Sequence, residues 1–259
     1  MYKRQVSGGI RVERTDLFTD VFKYDSLKLA ANDFRRVSPG QSFVVNPGKL
    51  NRINYLPSIN LIYKLKNDEI APVNLRLNFS QTIARPSIRE YSETIMRDFE
   101  LNADVFGNAD LKMVEINNYD FRFESFFKSK DNVSISFFYK DFKNHIEMIS
   151  SNIGFSWTNA EESRVLGMEL EGRKKLVRGL ELRVNISLVD SRTKIIEKQL
   201  NIENGIKSWT PIDTVTRKMF GQAPYVLNGI LTYSLDSIGL SLFRVNTDEQ
   251  PHNNYIERT

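Results

Sequence analysis

The chain has no cysteine among its 259 residues, which excludes disulfides, thiolate metal sites and a cysteine nucleophile. Its two histidines, His145 and His252, lie far apart, so neither a histidine-rich metal site nor a histidine-based triad is expected. No run of about 18 apolar residues occurs, and no helix is expected to cross a membrane. That absence leaves a membrane sheet open, because its strands need only alternate. The start, Met1-Tyr-Lys-Arg-Gln5, has no apolar core for a signal peptide. Lys+Arg 36 against Asp+Glu 32 is nearly balanced, and without a long basic block nucleic acid is not an expected partner. No carboxylate pair or nucleophile–base set stands apart; Glu169 and Glu171 are two steps along one alternating stretch. Enzyme function is therefore not expected, and no cofactor is called for.

What the chain does have is alternation. In residues 58–66, Ile59, Leu61, Tyr63 and Leu65 share one face; in residues 73–80, Val73, Leu75, Leu77 and Phe79 oppose Asn74, Arg76, Asn78 and Ser80. Period two is the signature of a strand, so the pair reads as a hairpin with one apolar and one polar wall. Pro86 ends it, since proline cannot donate to a ladder and forces Arg85 out of the helical region.

The same unit recurs. Residues 9–15, 119–126, 133–139, 166–172, 180–188, 225–235 and 238–242 alternate, for about nine strands in all. Residues 16–56, 87–112 and 190–223 lose the pattern and read as long loops. Short turns thus alternate with long loops, the arrangement expected when every second connection lies on the same side of a membrane. Arg76, Arg122, Glu124, Lys140, Glu169, Glu171, Arg173, Glu181 and Arg183 stand opposite apolar partners. They fit either a wet lumen or the solvent face of an ordinary sheet. Tyr63, Phe79, Tyr119, Phe121, Phe123, Tyr139, Tyr225 and Tyr233 enrich the apolar sets in aromatics, as membrane girdles do and as sheet cores also do. The alternative class is a soluble β-sandwich binding module; apolar side chains left outermost on a single sheet would argue against it.

Short stretches then carry a resemblance: LPSINL at 56–61, SQTIARP at 80–86, FEL at 99–101, GNADLK at 107–112, NNYDF at 117–121, FYKDFKNHIE at 138–147, VLGMELE at 165–171 and GQAPYVLNG at 221–229. Each is weak alone; together, in order, they resemble the C-terminal barrel portion of TonB-dependent outer-membrane receptors of the Bacteroidetes type. The resemblance implies an all-β fold: an antiparallel transmembrane β-barrel, here partial, from a parent of about 22 strands. It implies uptake of a scarce bulky ligand (siderophore, cobalamin or oligosaccharide) across the cell outer membrane with TonB-transmitted energy. Implied partners are outer-membrane lipid, the plug domain of the parent chain, the TonB complex through an N-terminal part outside this sequence, and a surface lipoprotein. Loop residues Tyr91, Phe99, Phe155, Trp157 and Trp209 are the implied ligand contacts, the alternative for each being packing within its own loop. Arg76, Arg122, Glu124, Glu169, Glu171, Arg173 and Arg183 are the implied lumen-facing set, and no metal site is implied.

The resemblance covers roughly residues 8–243. Residues 1–7 are expected to be a non-native or adapter-derived start, and the polar residues 244–259 a non-family tail, foreign or frame-shifted, as expected of a gene fragment. Gly107, Asn108 and Asp110 suit a tight turn back into a strand. Gly167 and Gly229 mark bending or close approach within strands.

Overall fold

A computed structural model describes residues 3–19, 22–23, 43–44, 48–92, 94–151, 154–203, 206–235 and 238–248. The strands are β1 (Arg4–Thr19), β2 (Phe22–Lys23), β3 (Phe43–Val44), β4 (Gly48–Lys66), β5 (Val73–Ala84), β6 (Ile95–Asp98), β7 (Ala103–Phe106), β8 (Val114–Phe126), β9 (Asn132–Lys143), β10 (Ile146–Ser151), β11 (Gly154–Asn159), β12 (Glu162–Val177), β13 (Leu180–Glu203), β14 (Ile206–Arg217), β15 (Tyr225–Leu235) and β16 (Ile238–Asp248). One short helix, α1 (Ile88–Tyr91), is closed by a capping box in which Ser87 and Glu90 each accept from the other's backbone N–H.

One ten-stranded antiparallel sheet runs β1-β4-β5-β8-β9-β12-β13-β15-β16, with β14 paired to β13. The register aligns the apolar residues in rows: Ile59↔Phe79↔Tyr119↔Tyr139↔Leu166 crosses β4, β5, β8, β9 and β12. Among the described residues no second layer covers these side chains. Ile10 is 69% exposed and Tyr55 68%, and Ile59, Leu77, Tyr119, Phe137 and Leu166 are all exposed. A soluble sandwich would bury this face against another sheet, and its exposure on one sheet counts against the sandwich alternative. Ring pairs line it: Phe79 and Tyr119 have centroids 5.1 Å apart, Tyr119 and Tyr139 6.1 Å.

The opposite face changes character along the strands. Toward the end with short turns it is polar and open. Toward the end with long connections it is roofed. A four-stranded sheet, β10-β11-β7-β6, is built from the β5–β8 and β9–β12 connections, and with α1 it supplies the small core. Tyr91, Leu111 and Met113 pack on Leu50 of β4, with Leu17, Ile146 and Trp157 around them. A second cluster joins Ile149 of β10, Ala160 and Ile195 of β13.

Three expected loops are therefore shorter than the sequence pattern suggests. In the first, β1 runs on to Thr19 and β4 starts at Gly48; in the second lie α1, β6 and β7; the third is largely the β13–β14 hairpin, paired from Thr193↔Arg217 to Glu203↔Ile206. The physical reason is common to all three. These strands lie beyond the two-faced part of the sheet, so pairing demands no apolar–polar alternation there. β16 continues through residues 244–248 paired to β15, into the stretch the sequence pattern sets outside the barrel.

Candidate functional site: the polar wall and its roof

The predicted lumen-facing residues all lie on the polar face. Register places Asn74, Glu124, Ser134 and Glu171 in one row across β5, β8, β9 and β12, with Arg76, Arg122, Ser136 and Glu169 in the next. Glu124 is buried and accepts from Asn74 at 3.0 Å and from Arg76 Nε at 2.8 Å. Arg122 lies 3.4 Å from Glu124 on its own strand and donates to Glu171 at 2.6 Å and Ser136 at 3.1 Å. Serines on β9 leave room for that reach, and Ser134 adds a 3.1 Å bond to Glu171. Farther toward the short turns, Arg173 and Arg183 both donate to Glu181 at 2.7 Å. The wall is a lattice of charge-assisted hydrogen bonds spanning neighbouring and next-nearest strands.

Near the roofed end, Arg85 of the SQTIARP stretch crosses over β4 to β1, donating to Thr15 at 2.7 Å and pairing with Glu13. Pro86 directs the chain out of the sheet here, and α1 begins directly after.

The roof is held by side chains that the sequence pattern did not single out as site residues. Asn108 donates to the Trp157 carbonyl at 2.9 Å, and Asn159 joins the Lys112 backbone to the Asn144 carbonyl, splicing the two long connections together. Gly107 passes so close to Ser92 that an added Cβ would sit 1.7 Å from its carbonyl oxygen. Glu147, 2% exposed, accepts from Arg217 at 2.9 Å and from the Phe220 N–H at 3.4 Å. This ties β10 to the turn after β14. His145 Nδ1 is 3.4 Å from Glu147 Oε1 and has no hydrogen-bond partner. Burial, reinforced by the Arg217 guanidinium, lowers the His145 pKa to about 4, so the ring is neutral at pH 7 and the contact is not an ion pair. Burial pushes the Glu147 carboxyl up, opposed by Arg217 and the Phe220 N–H. Gly107, Asn108 and Lys112 fall in the GNADLK stretch and His145 and Glu147 in FYKDFKNHIE, whereas Asn159 and Arg217 lie in neither.

The predicted ligand contacts are scattered by the fold. Tyr91 is 2% exposed and packs within the roof core, and Trp157 is partly buried against the same cluster. Both fit the packing alternative. Phe155 is half-buried on β11. Phe99, at the tip of the β6–β7 hairpin, is 91% exposed. Trp209 pairs with Leu200 in the backbone of β14, and its side chain lies outside the described residues. Among the described residues no group of His, Cys, Asp and Glu could hold a metal ion.

No curated protein matches the sequence. Among solved structures, the hemophore receptor HasR of Serratia marcescens is 11% identical with a TM-score of 0.58, over 95% of this chain and 42% of its own. The ferric-catecholate import receptor Fiu of E. coli K12 is 14% identical with a TM-score of 0.56, over 91% of this chain and 30% of its own. The chain spans less than half the length of either, and at such identity the likeness is one of fold. The TonB dependent receptor-like, beta-barrel family matches residues 5–256, and to that family the chain belongs.

Proposed function

We propose that the chain forms part of the wall of an outer-membrane receptor that takes up a scarce, bulky ligand with energy passed on through TonB. One observation carries the reading: a single sheet exposes apolar side chains on one face and a charged lattice on the other. In water the apolar face would be a liability; in a bilayer it meets hydrocarbon. Tyr55, Tyr119, Tyr139 and Tyr225 lie toward the long-connection end and Tyr63 and Tyr233 toward the short turns, where headgroups favour amphipathic rings. The lattice then faces a lumen holding the plug of the parent chain, and the roof sits at the cell surface. A surface lipoprotein would meet it there, while TonB would act from the periplasmic side.

Phe99 is the best-placed ligand contact, because it is the predicted aromatic left exposed in the described roof; Phe155, half-buried and outside the roof core cluster, stands next. The relatives described above are named for a hemophore and a ferric catecholate, which favours an iron chelate over cobalamin or an oligosaccharide. The test is uptake by cells with the intact gene deleted and restored, offered a labelled ferric catecholate, cobalamin or an oligosaccharide. Uptake of one of the three should vanish on deletion, return on restoration and stop when a protonophore collapses the inner-membrane gradient. Uptake that ignores deletion or the protonophore would refute the reading.

A further inference from the structure

The polar wall carries two open grooves that differ in charge. One, of about 240 Å3, lies between Asn60, Arg76, Asn78, Asp120 and Arg122. Its charges are matched: Arg76 pairs with Glu124, Arg122 with Glu124 and Glu171, and Asn78 donates to Asp120 at 3.0 Å. The other, of about 310 Å3, lies nearer the short turns and includes Asn132, Glu171, Arg173, Arg183, Asn185 and Asn228. Here two guanidiniums share one carboxylate, Glu181. Glu171 is taken by Arg122 and Ser134. Arg173 Nε is buried with no hydrogen-bond partner, and Arg183 commits only its Nε among the described residues.

The adjoining turns add to the imbalance. Lys128, Lys130, Lys174 and Lys175 stand at these turns beside Asp131. The asparagine amides of Asn132, Asn185 and Asn228 offer both donors and acceptors, which suits an extended main chain. We propose that this groove receives an Asp or Glu side chain from an extended segment of the plug, its carboxylate accepting from Arg173 and Arg183. The proposal rests on reading the polar wall as the face of a plugged lumen, and charge complementarity selects an acidic segment.

The test uses the full-length receptor with a photo-crosslinking amino acid at Asn228, and separately at Asn78 in the balanced groove. Captured peptides are identified by mass spectrometry. The Asn228 site should capture a plug peptide with an Asp or Glu beside the crosslink, and the double charge reversal Arg173→Glu with Arg183→Glu should cut that yield about ten-fold. The Asn78 yield should not change, which also reports that the reversed barrel assembles. If the reversal fails to assemble, Arg173→Gln with Arg183→Gln should still lower the Asn228 yield several-fold. Capture of an acid-free segment, or a yield indifferent to both pairs of substitutions, would overturn the proposal while leaving the plugged lumen intact. Capture of no plug peptide at either position would overturn the proposal and the lumen reading together.

Discussion

Arg122 donates to Glu171 at 2.6 Å from two strands away, passing over the serines of β9 to reach it. The same guanidinium lies 3.4 Å from Glu124, which Arg76 also pairs at 2.7 Å, so Arg122 links the two acids into one charge network. Replacing Arg122 by Leu should destabilise the barrel by about 1–3 kcal/mol, toward the lower end because the group is partly wet. Lysine should recover only part, since one ammonium cannot serve both carboxylates with the geometry of a fork. Urea unfolding in micelles checks the order wild type, Arg122→Lys, Arg122→Leu.

A second prediction concerns acid. His145 is held down to about 4 from an ordinary 6.5, so the unfolded state binds its proton first. Native stability should therefore fall as pH drops from 6.5 toward 4 and level off below. At 1.36 kcal/mol per pKa unit the full drop is roughly 3 kcal/mol. The raised carboxyl of Glu147 works in the opposite sense and offsets part of it. Hydrogen exchange in the roof at pH 7 and pH 4.5 should show acid-induced opening, and His145→Gln should reduce it. Equal pH dependence in both proteins would contradict the assignment.

The glycines separate into two kinds. A Cβ on Gly107 would lie 1.7 Å from the Ser92 carbonyl oxygen and one on Gly167 would lie 2.1 Å from the Phe138 ring, whereas Gly229 has nothing within 4 Å. Gly107→Ala should break the splice between the long connections, and Gly167→Ala should displace Phe138. Gly229→Ala should stay within about 0.5 kcal/mol of wild type. Thermal unfolding of the three variants tests the ranking.

Tyr91 and Phe99 should behave oppositely despite their common origin as candidate ligand contacts. Tyr91→Ala empties the roof core and should cost about 3–5 kcal/mol locally, visible as faster proteolysis of residues 87–113. Phe99→Ala should leave that protection unchanged and weaken ligand binding alone. Loss of protection in Phe99→Ala would mean that its ring packs rather than binds.

Expressed alone, the chain should require detergent or lipid. Its sheet ends at β1 and β16 among the described residues and its apolar face is uncovered, a combination that drives aggregation in water. Size-exclusion chromatography in plain buffer would show a monodisperse monomer only if the membrane reading were wrong.

The legible part of the fold is the part with two environments. β5, β8 and β9 could be read because Leu77, Phe121 and Phe137 must face one way and Arg76, Arg122 and Ser136 the other. The β13–β14 hairpin was not legible. There Ile195 and Ile196 are adjacent, and pairing is enforced by backbone bonds rather than by faces. The capping box at Ser87 and Glu90 was readable in principle, but it opens a helix of 4 residues, too short to show a period. Charged residues of the wall were placed by parity alone, whereas Glu147 and Arg217 meet through a contact between residues 70 positions apart, which no local pattern encodes. Tyr91 looked like a loop aromatic because nothing in its neighbourhood announces that Leu50 and Met113 close over it.

The contacts of Arg85 with Glu13 and Thr15 join residues 72 and 70 positions apart. Neither can form until β1, β4 and β5 lie side by side. A slip of one residue in either pairing would turn Glu13 and Thr15 toward the opposite face, leaving the guanidinium nothing to grip. The clamp thus acts as a register sensor for assembly: it engages only when three strands are correctly aligned, and a misaligned intermediate would carry an unpaired arginine at its rim.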